Sequence, residues 1–444
     1  MLDYVGANEL AAKLRGREIS AVEALDAFVS RVAERDPALN AVVSLDVERA
    51  RRLAVRRDAV ARPTGPLHGV PMTIKDAFDV AGLRTTIGTP LFDHVPTVSA
   101  TVTRRLEEAG AIIVGHSNVP AFLADYVTDN DLFGRTNNPW APDRTPGGSG
   151  GGAAAALAAG ITPIEFGSDL AGSLRLPPHF CGVYGLKATE LRVPVTGFFS
   201  APHGGPRSVR VLNSLGPMAR DLDDLDLVLR VVAGPDGVDV DVPPVPLPRR
   251  AKVDPATLRL AVSPTIPGVD VSPSLRRCLG HVADGASDVG ARVTATVPAV
   301  DFGRLSVAGD LIGAITQILT PAAAQLRDEQ RSLAWYLAAL DHRDHVAAAF
   351  ESFFADHDAL VLPAGTTTAF SHDARDYADV GGMLVFANLA GLPVLTVPAG
   401  ADSDGLPIGA QIVGPRWSEP RLLHIAAALE DAGVLPGFRR PPGY

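Results

Sequence analysis

The chain has 444 residues, 46% of them hydrophobic and 20% charged, with 37 prolines and a net charge of −10. That size and balance fit a soluble globular protein of one large α/β domain or two to three ordinary ones. The acidic total disfavours a protein whose main task is gripping phosphate backbones, and Cys181 and Cys278 offer neither a metal-ligand spacing nor a disulfide framework.

The N-terminus, MLDYVGANELAAKLRG, has no cationic stretch followed by an apolar one. No apolar run reaches the ~20 residues of a membrane helix, so a cytoplasmic protein with no membrane partner is expected. Ser20-Ala-Val-Glu23 has the form of a capping box. After it Val22, Leu25, Phe28 (or Val29) and Val32 recur at helical spacing, predicting an amphipathic helix to about Ala33. Val70–Ile74 reads as a buried strand with Lys75 at its end. A lysine there is, on that pattern alone, an ordinary solvated strand end.

Val98–Ala109 reads as a helix and Ala111–Gly115 as a strand. Alternation this close predicts a large, mainly parallel sheet covered by helices on both faces. Phe122–Pro146 is long, polar and irregular, which inside a compact domain points to function. Next comes Arg144–Gly160, RTPGGSGGGAAAALAAG. Every residue from Gly147 to Gly152 except Ser149 is glycine, and Ala153–Ala159 is a strong helix former with Gly160 at its C-terminal end.

Thr162–Gly167 is a predicted strand, followed by a second Gly/Ser turn, Ser168–Arg175. Arg192–Pro217 is a Gly/Pro/Ser-rich connection and Leu222–Val232 a helix with aspartates at its start, which suits the helix dipole. Val238–Pro248 reads as an exposed linker or crossover. Strands are predicted at Leu258–Val262, Arg292–Val297, Ala359–Pro363, Val394–Pro398 and Gly409–Val413. Helices are predicted at Pro273–Ser287, over most of Leu305–Phe354 and at Glu419–Asp431. Nothing forces a break, so one domain over 1–444 is expected, with a surface excursion near 235–255.

The glycine loop admits several readings. As a P-loop it fails, because no Gly-Lys-Ser/Thr follows. As a dinucleotide fingerprint it offers only Gly150-x-Gly152-x-x-Ala155, preceded by loop rather than strand. Gly147-Gly-Ser149-Gly-Gly151 satisfies G-x-S-x-G, but a nucleophile elbow needs a strand before it, and NNPWAPDRTP is none. Ser173 lies 24 positions after Ser149, across a helix, a strand and a turn. That path can return the second turn to the first, setting a row of backbone N–H groups beside a hydroxyl, as an oxyanion hole with its nucleophile requires. Such a serine still needs a base.

TPGGSGGGAAAALAAG, GSDLAGSLRLPPHFCGVYGLKAT and the upstream GVPMTIKD together resemble the amidase signature family of serine hydrolases. GHSNVPAF, DLFGRTNNPW, SLGPMARDLDDLDLVL and FANLAGLPVLTVPAGADSDGLPIGAQIVG fit as well, so the likeness runs from about residue 8 to 432 with a gap at about 235–355. The resemblance implies the α/β amidase signature fold and a Ser-cisSer-Lys triad. Ser173 would be the acyl-enzyme nucleophile, Ser149 the bridge held by a cis peptide after Gly148, and Lys75 the base. The N–H groups of Leu170, Ala171, Gly172 and Ser173 would bind the oxyanion. Gly148, Asp169 and Arg175 would support the turns, while Asp125, Thr128 and Asp129 are pocket-lining candidates. The implied reaction is hydrolysis of a linear amide, a small-molecule substrate, with no metal, no cofactor and no nucleic acid. At most a second copy of the chain is expected as partner. Segments like 300–355 and 122–133 would set the acyl and amine groups.

Some positions depart from the family pattern. Gly150 stands where many members carry a second serine, and Ala171 replaces a common glycine. His116 and Ala121 replace a usual Lys and Glu, and Ala188 a usual proline. Cys181 reads as a buried structural thiol, and no histidine has triad spacing. The competing readings are an amidotransferase component that works on aminoacyl-tRNA, an α/β-hydrolase esterase, which lacks a placeable catalytic histidine, and a non-catalytic binding protein on the same fold.

Overall fold

A computed structural model describes residues 2–199, 207–249, 252–300, 302, 306–318 and 332–444. Near its start the capping box forms as written: Ser20 Oγ accepts from the Glu23 N–H at 3.1 Å, and Glu23 Oε2 accepts from the Ser20 N–H at 2.8 Å. The helix it opens spans Ala21–Leu39, past the expected end at Ala33. Pro37 lies in its last turn, where it removes one backbone donor close to the helix end. Asn40, at φ 54°, ends it. Its inward face is Ala21, Ala24, Leu25 and Phe28, with Val22, Val29 and Val32 packed at the margin of the core.

Val42–Val43 (β1), Pro71–Lys75 (β2) and Ile112–Ser117 (β3) form a three-stranded sheet in the order β1-β3-β2. Ile164–Asp169 (β4), Tyr184–Lys187 (β5), Ser214–Ala219 (β6), Arg259–Val262 (β7), Arg292–Thr294 (β8), Ala359–Pro363 (β9), Val394–Ala401 (β10) and Pro407–Val413 (β11) form an eight-stranded sheet in the order β4-β6-β5-β10-β11-β9-β7-β8. β4 also lies alongside β2, where the Thr73 N–H donates to Thr162 Oγ1 at 3.5 Å and the Thr73 hydroxyl donates to Glu165.

A large mixed sheet with helices agrees with the expected fold class, but mainly parallel pairing does not. From β4 through β9 the neighbours in the large sheet are antiparallel, and parallel pairs join β9, β7 and β8. Two features explain the difference. The helix Gly151–Ala158 carries the chain from the small sheet to the large one, so the helix–strand alternation there does not make neighbours within one sheet. In addition, β10 and β11 are successive strands joined by a short turn, which forces opposite directions.

β6 begins at Ser214, inside the stretch 192–217 expected as a connection, and residues 200–206 of that stretch lie outside the described residues. Residues 235–249 carry no helix or strand, as the expected excursion requires, while 250 and 251 lie outside the described residues. In the predicted helical region Ser306–Ile318 and Leu333–Phe354 are helices, and 319–331 lie outside the described residues.

One hydrophobic cluster runs from Ala7 to Leu435. The helix Gly151–Ala158 is buried at every position. Apart from Leu157 its side chains are no larger than a methyl group, which lets the backbone sit close to its neighbours on all sides. Its N-terminus, the C-terminal ends of β2 and β4 and the start of β6 meet in one place. No helix among the described residues is long and apolar enough to cross a membrane.

Candidate active site

Three elements each deliver one side chain. β2 ends in Lys75, whose side chain is wholly buried, with Met72 and Ile74 of the same strand also at 0% exposure. The glycine loop delivers Ser149 across a cis Gly148–Ser149 peptide bond. The turn after β4 delivers Ser173. Lys75 Nζ lies 2.8 Å from Ser149 Oγ, and Ser149 Oγ lies 2.8 Å from Ser173 Oγ. The Ser149 N–H also donates to Ser173 Oγ at 3.1 Å. The structure thus brings the three residues together into one hydrogen-bonded chain.

Burial pushes the Lys75 ammonium down from its ordinary 10.5 to about 7, against the opposing pull of the Asp169 charge. Ser168, which no motif singled out, completes the amine's surroundings: Nζ donates to its Oγ at 3.0 Å and lies 3.3 Å from its carbonyl oxygen.

Asp169 is also wholly buried. Burial alone would raise its pKa, but the Arg175 guanidinium in bidentate contact holds the carboxyl well below the usual carboxylate range. Arg175 Nε reaches Oδ2 at 3.0 Å and Nη2 reaches Oδ1 at 2.8 Å. The same carboxylate accepts from the N–H groups of Gly172 at 2.8 Å and Leu174 at 3.0 Å, which folds the turn that presents Ser173. Gly172 therefore departs from the expected donor set, because its N–H already serves Asp169. Its φ of 123° shows what the glycine is for: it makes the turn. Among the described residues the N–H groups of Leu170, Ala171 and Ser173 make no hydrogen bond, and all three remain available.

The family departures now have places. A Cβ built on Gly150 would stand 2.6 Å from the Ser173 carbonyl oxygen, so the close approach of the two turns itself calls for glycine. Ala171 is outside the left-handed region and costs nothing there, and its carbonyl accepts from the Tyr126 hydroxyl at 3.0 Å. His116 is buried on β3 with Nδ1 3.0 Å from Asp76 Oδ1. Cys181 is a buried free thiol, as expected.

Ser149, Ser168 and Ser173 open onto a narrow cleft. Its other walls are Phe122, Leu123, Leu170, Phe198, Phe199 and Val209, with Asn213 at one side. Phe92 backs this wall, meeting Phe122 edge-on at 5.9 Å and Phe199 at 5.3 Å between ring centres. A separate surface depression, lined in part by Arg15, Arg57 and His68, includes none of those three serines.

Asp125, Thr128 and Asp129 do not line the cleft. Asp125 is exposed and accepts from the Val127 N–H at 3.1 Å and the Tyr377 hydroxyl at 3.3 Å. Thr128 is buried and donates to the Gly147 carbonyl at 2.8 Å, bracing the glycine loop. Asp129 is exposed. The irregular segment does reach the site, but through Phe122, Leu123 and Tyr126. Phe122 and Leu123 stand at φ 56° and 58°, a left-handed pair that no residue preference announces.

The Asp169–Arg175 pair carries a stability prediction. Arg175→Met would leave a buried carboxylate without its counter-charge and is expected to cost about 3–5 kcal/mol. Denaturant unfolding at pH 7 measures it, and a loss within experimental error would show that the pair is not what holds the turn.

Residues 23–308 and 305–423 match the family model described as Amidase. A glutamyl-tRNA(Gln) amidotransferase subunit of Thermus thermophilus is 34% identical over 494 residues, covering 98% of this chain and 99% of that one. The indoleacetamide hydrolase of Bradyrhizobium diazoefficiens is 35% identical over 459 residues, covering 96% and 86%. Among solved structures, a bacterial aryl acylamidase of the amidase signature enzymes superposes with a TM-score of 0.84 at 25% identity, covering 98% of this chain and 97% of that one.

Proposed function

The chain belongs to the amidase signature family and has its fold, and from that premise we propose that it hydrolyses a linear carboxylic amide through an acyl-enzyme on Ser173. The observation that carries the proposal is the continuous chain from Lys75 through Ser149 to Ser173, with 2.8 Å at each step.

The chemistry follows from the contacts. A neutral Lys75 donates its two N–H groups to the Ser168 carbonyl and hydroxyl, which leaves its lone pair for the Ser149 hydroxyl proton. Ser149 passes that proton on as it takes the one from Ser173. Ser173 Oγ then bonds to the amide carbon, and the N–H groups of Leu170, Ala171 and Ser173 face the oxyanion. The relay runs backward to protonate the departing nitrogen, and the C–N bond breaks. Water adds to the ester, gives its proton to the relay, and the carboxylate leaves as Ser173 recovers its hydrogen. We read the whole chain as one domain serving this site, in the cytoplasm.

A second reading, as one component of an amidotransferase, draws on the likeness to the Thermus protein. The cleft favours the hydrolase. Among the described residues no charged side chain lines it, and a glutamine zwitterion would enter with both charges unpaired. Glutaminase activity above that on neutral amides would reverse this preference.

A fluorophosphonate probe tests the assignment of the nucleophile. One adduct, mapped by peptide mass to Ser173, is expected. An adduct on another residue, or none on folded protein, would overturn it.

A further inference from the structure

Asn213 is 5% exposed, and its Nδ2 has no hydrogen-bond partner among the described residues. An unpaired buried amide donor costs free energy, and natural proteins rarely leave one without a use. This one sits in the wall of the cleft that holds Ser149 and Ser173. The rest of that wall is apolar apart from the three serines, so an acceptor atom carried by a ligand would satisfy it.

The backbone fixes where the amide stands. Leu212, just before it, is at φ 64°, a left-handed conformation disfavoured for leucine. Both of its backbone groups are held. Its N–H donates to Glu190 Oε1 at 2.9 Å, and its carbonyl accepts from Asn388 Nδ2 at 3.1 Å. Asn388 also donates to Asp169 and accepts from Arg175, the pair that shapes the Ser173 turn. One network therefore positions both the nucleophile and Asn213. In the β4–β6 register Asp169 pairs with Ser214, which sets Asn213 across from Leu170, the first residue of the turn.

We propose that Asn213 is a specificity residue, donating a hydrogen bond from Nδ2 to an acceptor atom on the ring-bearing apolar group of an uncharged amide substrate. The ring follows from the wall: Phe122, Phe198 and Phe199 offer edges and faces that an aromatic group matches. The absence of charge follows from a lining without charged side chains among the described residues. The carbonyl being cleaved is served by the turn, so the Asn213 bond goes to a second acceptor. This inference rests on the reading of the site as amide-cleaving.

The test compares phenyl amides with their pyridyl isomers, benzamide with picolinamide, nicotinamide and isonicotinamide, and phenylacetamide with the three pyridylacetamides. For each pair the pyridyl-to-phenyl ratio of kcat/KM is measured in the wild type and in Asn213→Leu, so that intrinsic reactivity cancels. For at least one isomer the ratio is expected to fall about tenfold in the variant, the worth of one hydrogen bond. A merely structural role would lower both members equally and leave every ratio within twofold, which overturns the proposal. Asn213→Asp, which replaces the donor with an acceptor, gives the same comparison if the leucine variant does not fold. Binding of the same pairs to Ser173→Ala by calorimetry separates the two readings. If nothing is hydrolysed but the pyridyl preference in Kd is present and depends on Asn213, the amidase reading fails and Asn213 stands. If that preference does not depend on Asn213, the proposal fails whatever the protein hydrolyses.

Discussion

Ser173→Ala is expected to lower kcat/KM for any amide the protein cleaves by on the order of 10⁴–10⁶-fold, the range seen when the nucleophile of such a relay is removed. The reason is local. Ser173 Oγ ends the hydrogen-bonded chain, 2.8 Å from Ser149 Oγ, and in the proposed mechanism it is the atom that forms the acyl bond. An alanine there keeps the backbone N–H of residue 173 and the shape of the turn, because that shape rests on Asp169 and Arg175 and not on the hydroxyl. The loss should therefore come without unfolding, and thermal melting should stay near that of the wild type. Activity within a hundredfold of the wild type, in a preparation free of wild-type protein, would place the nucleophile elsewhere.

Much of this site was legible because its parts are local motifs, which carry the resemblance to the amidase signature family. The apolar run Val70–Ile74 marks a buried strand, but on that pattern Lys75 reads as a solvated strand end; its place in the site came with the resemblance, and the structure leaves its side chain no exposure. The helix, strand and turn between Ser149 and Ser173 have the right lengths to bring the second turn back to the first, and the two hydroxyls meet. Asp169 and Arg175 flank the second turn in the sequence and support it in the fold.

What stayed hidden depends on contacts between distant segments. Ser168 follows the predicted strand, and only the fold sets its hydroxyl 3.0 Å from Lys75. The purpose of Gly150 lies in the carbonyl of Ser173, from another turn. That Gly172 is no oxyanion donor follows from the Asp169 carboxylate folding back on it, which a motif does not report. Phe198, Phe199 and Asn213 come from a connection with no periodicity, and they gain meaning as a wall only where the fold brings them to one cleft. Strand direction was misread for a similar reason: helix–strand alternation says nothing about which sheet a strand joins.

Lys75→Met is the sharper test of the mechanism, because its expected result has a shape as well as a size. In the proposed mechanism Lys75 acts as the free amine, and burial brings its pKa to about 7. For the wild type, kcat/KM should fall about tenfold per pH unit below that value and level off above it. Methionine keeps the length and apolar packing of the lysine stem but carries no basic atom. Activity at pH 8 should drop about 10²–10⁴-fold, the usual worth of a general acid–base group, and the limb near pH 7 should disappear. Esters of the same acyl group should suffer less, since an alkoxide departs more easily than an unprotonated amine, so the amide-to-ester ratio should fall. Stability provides the control. The folded pKa of about 7 lies below the ordinary 10.5, so between those values the unfolded chain binds more protons. The buried lysine therefore costs stability at neutral pH, and the cost fades as pH rises toward 10.5. Lys75→Met should lose that dependence and melt no lower than the wild type at pH 7. If the variant keeps the limb near pH 7, or loses amide and ester activity in equal measure, another group supplies the proton.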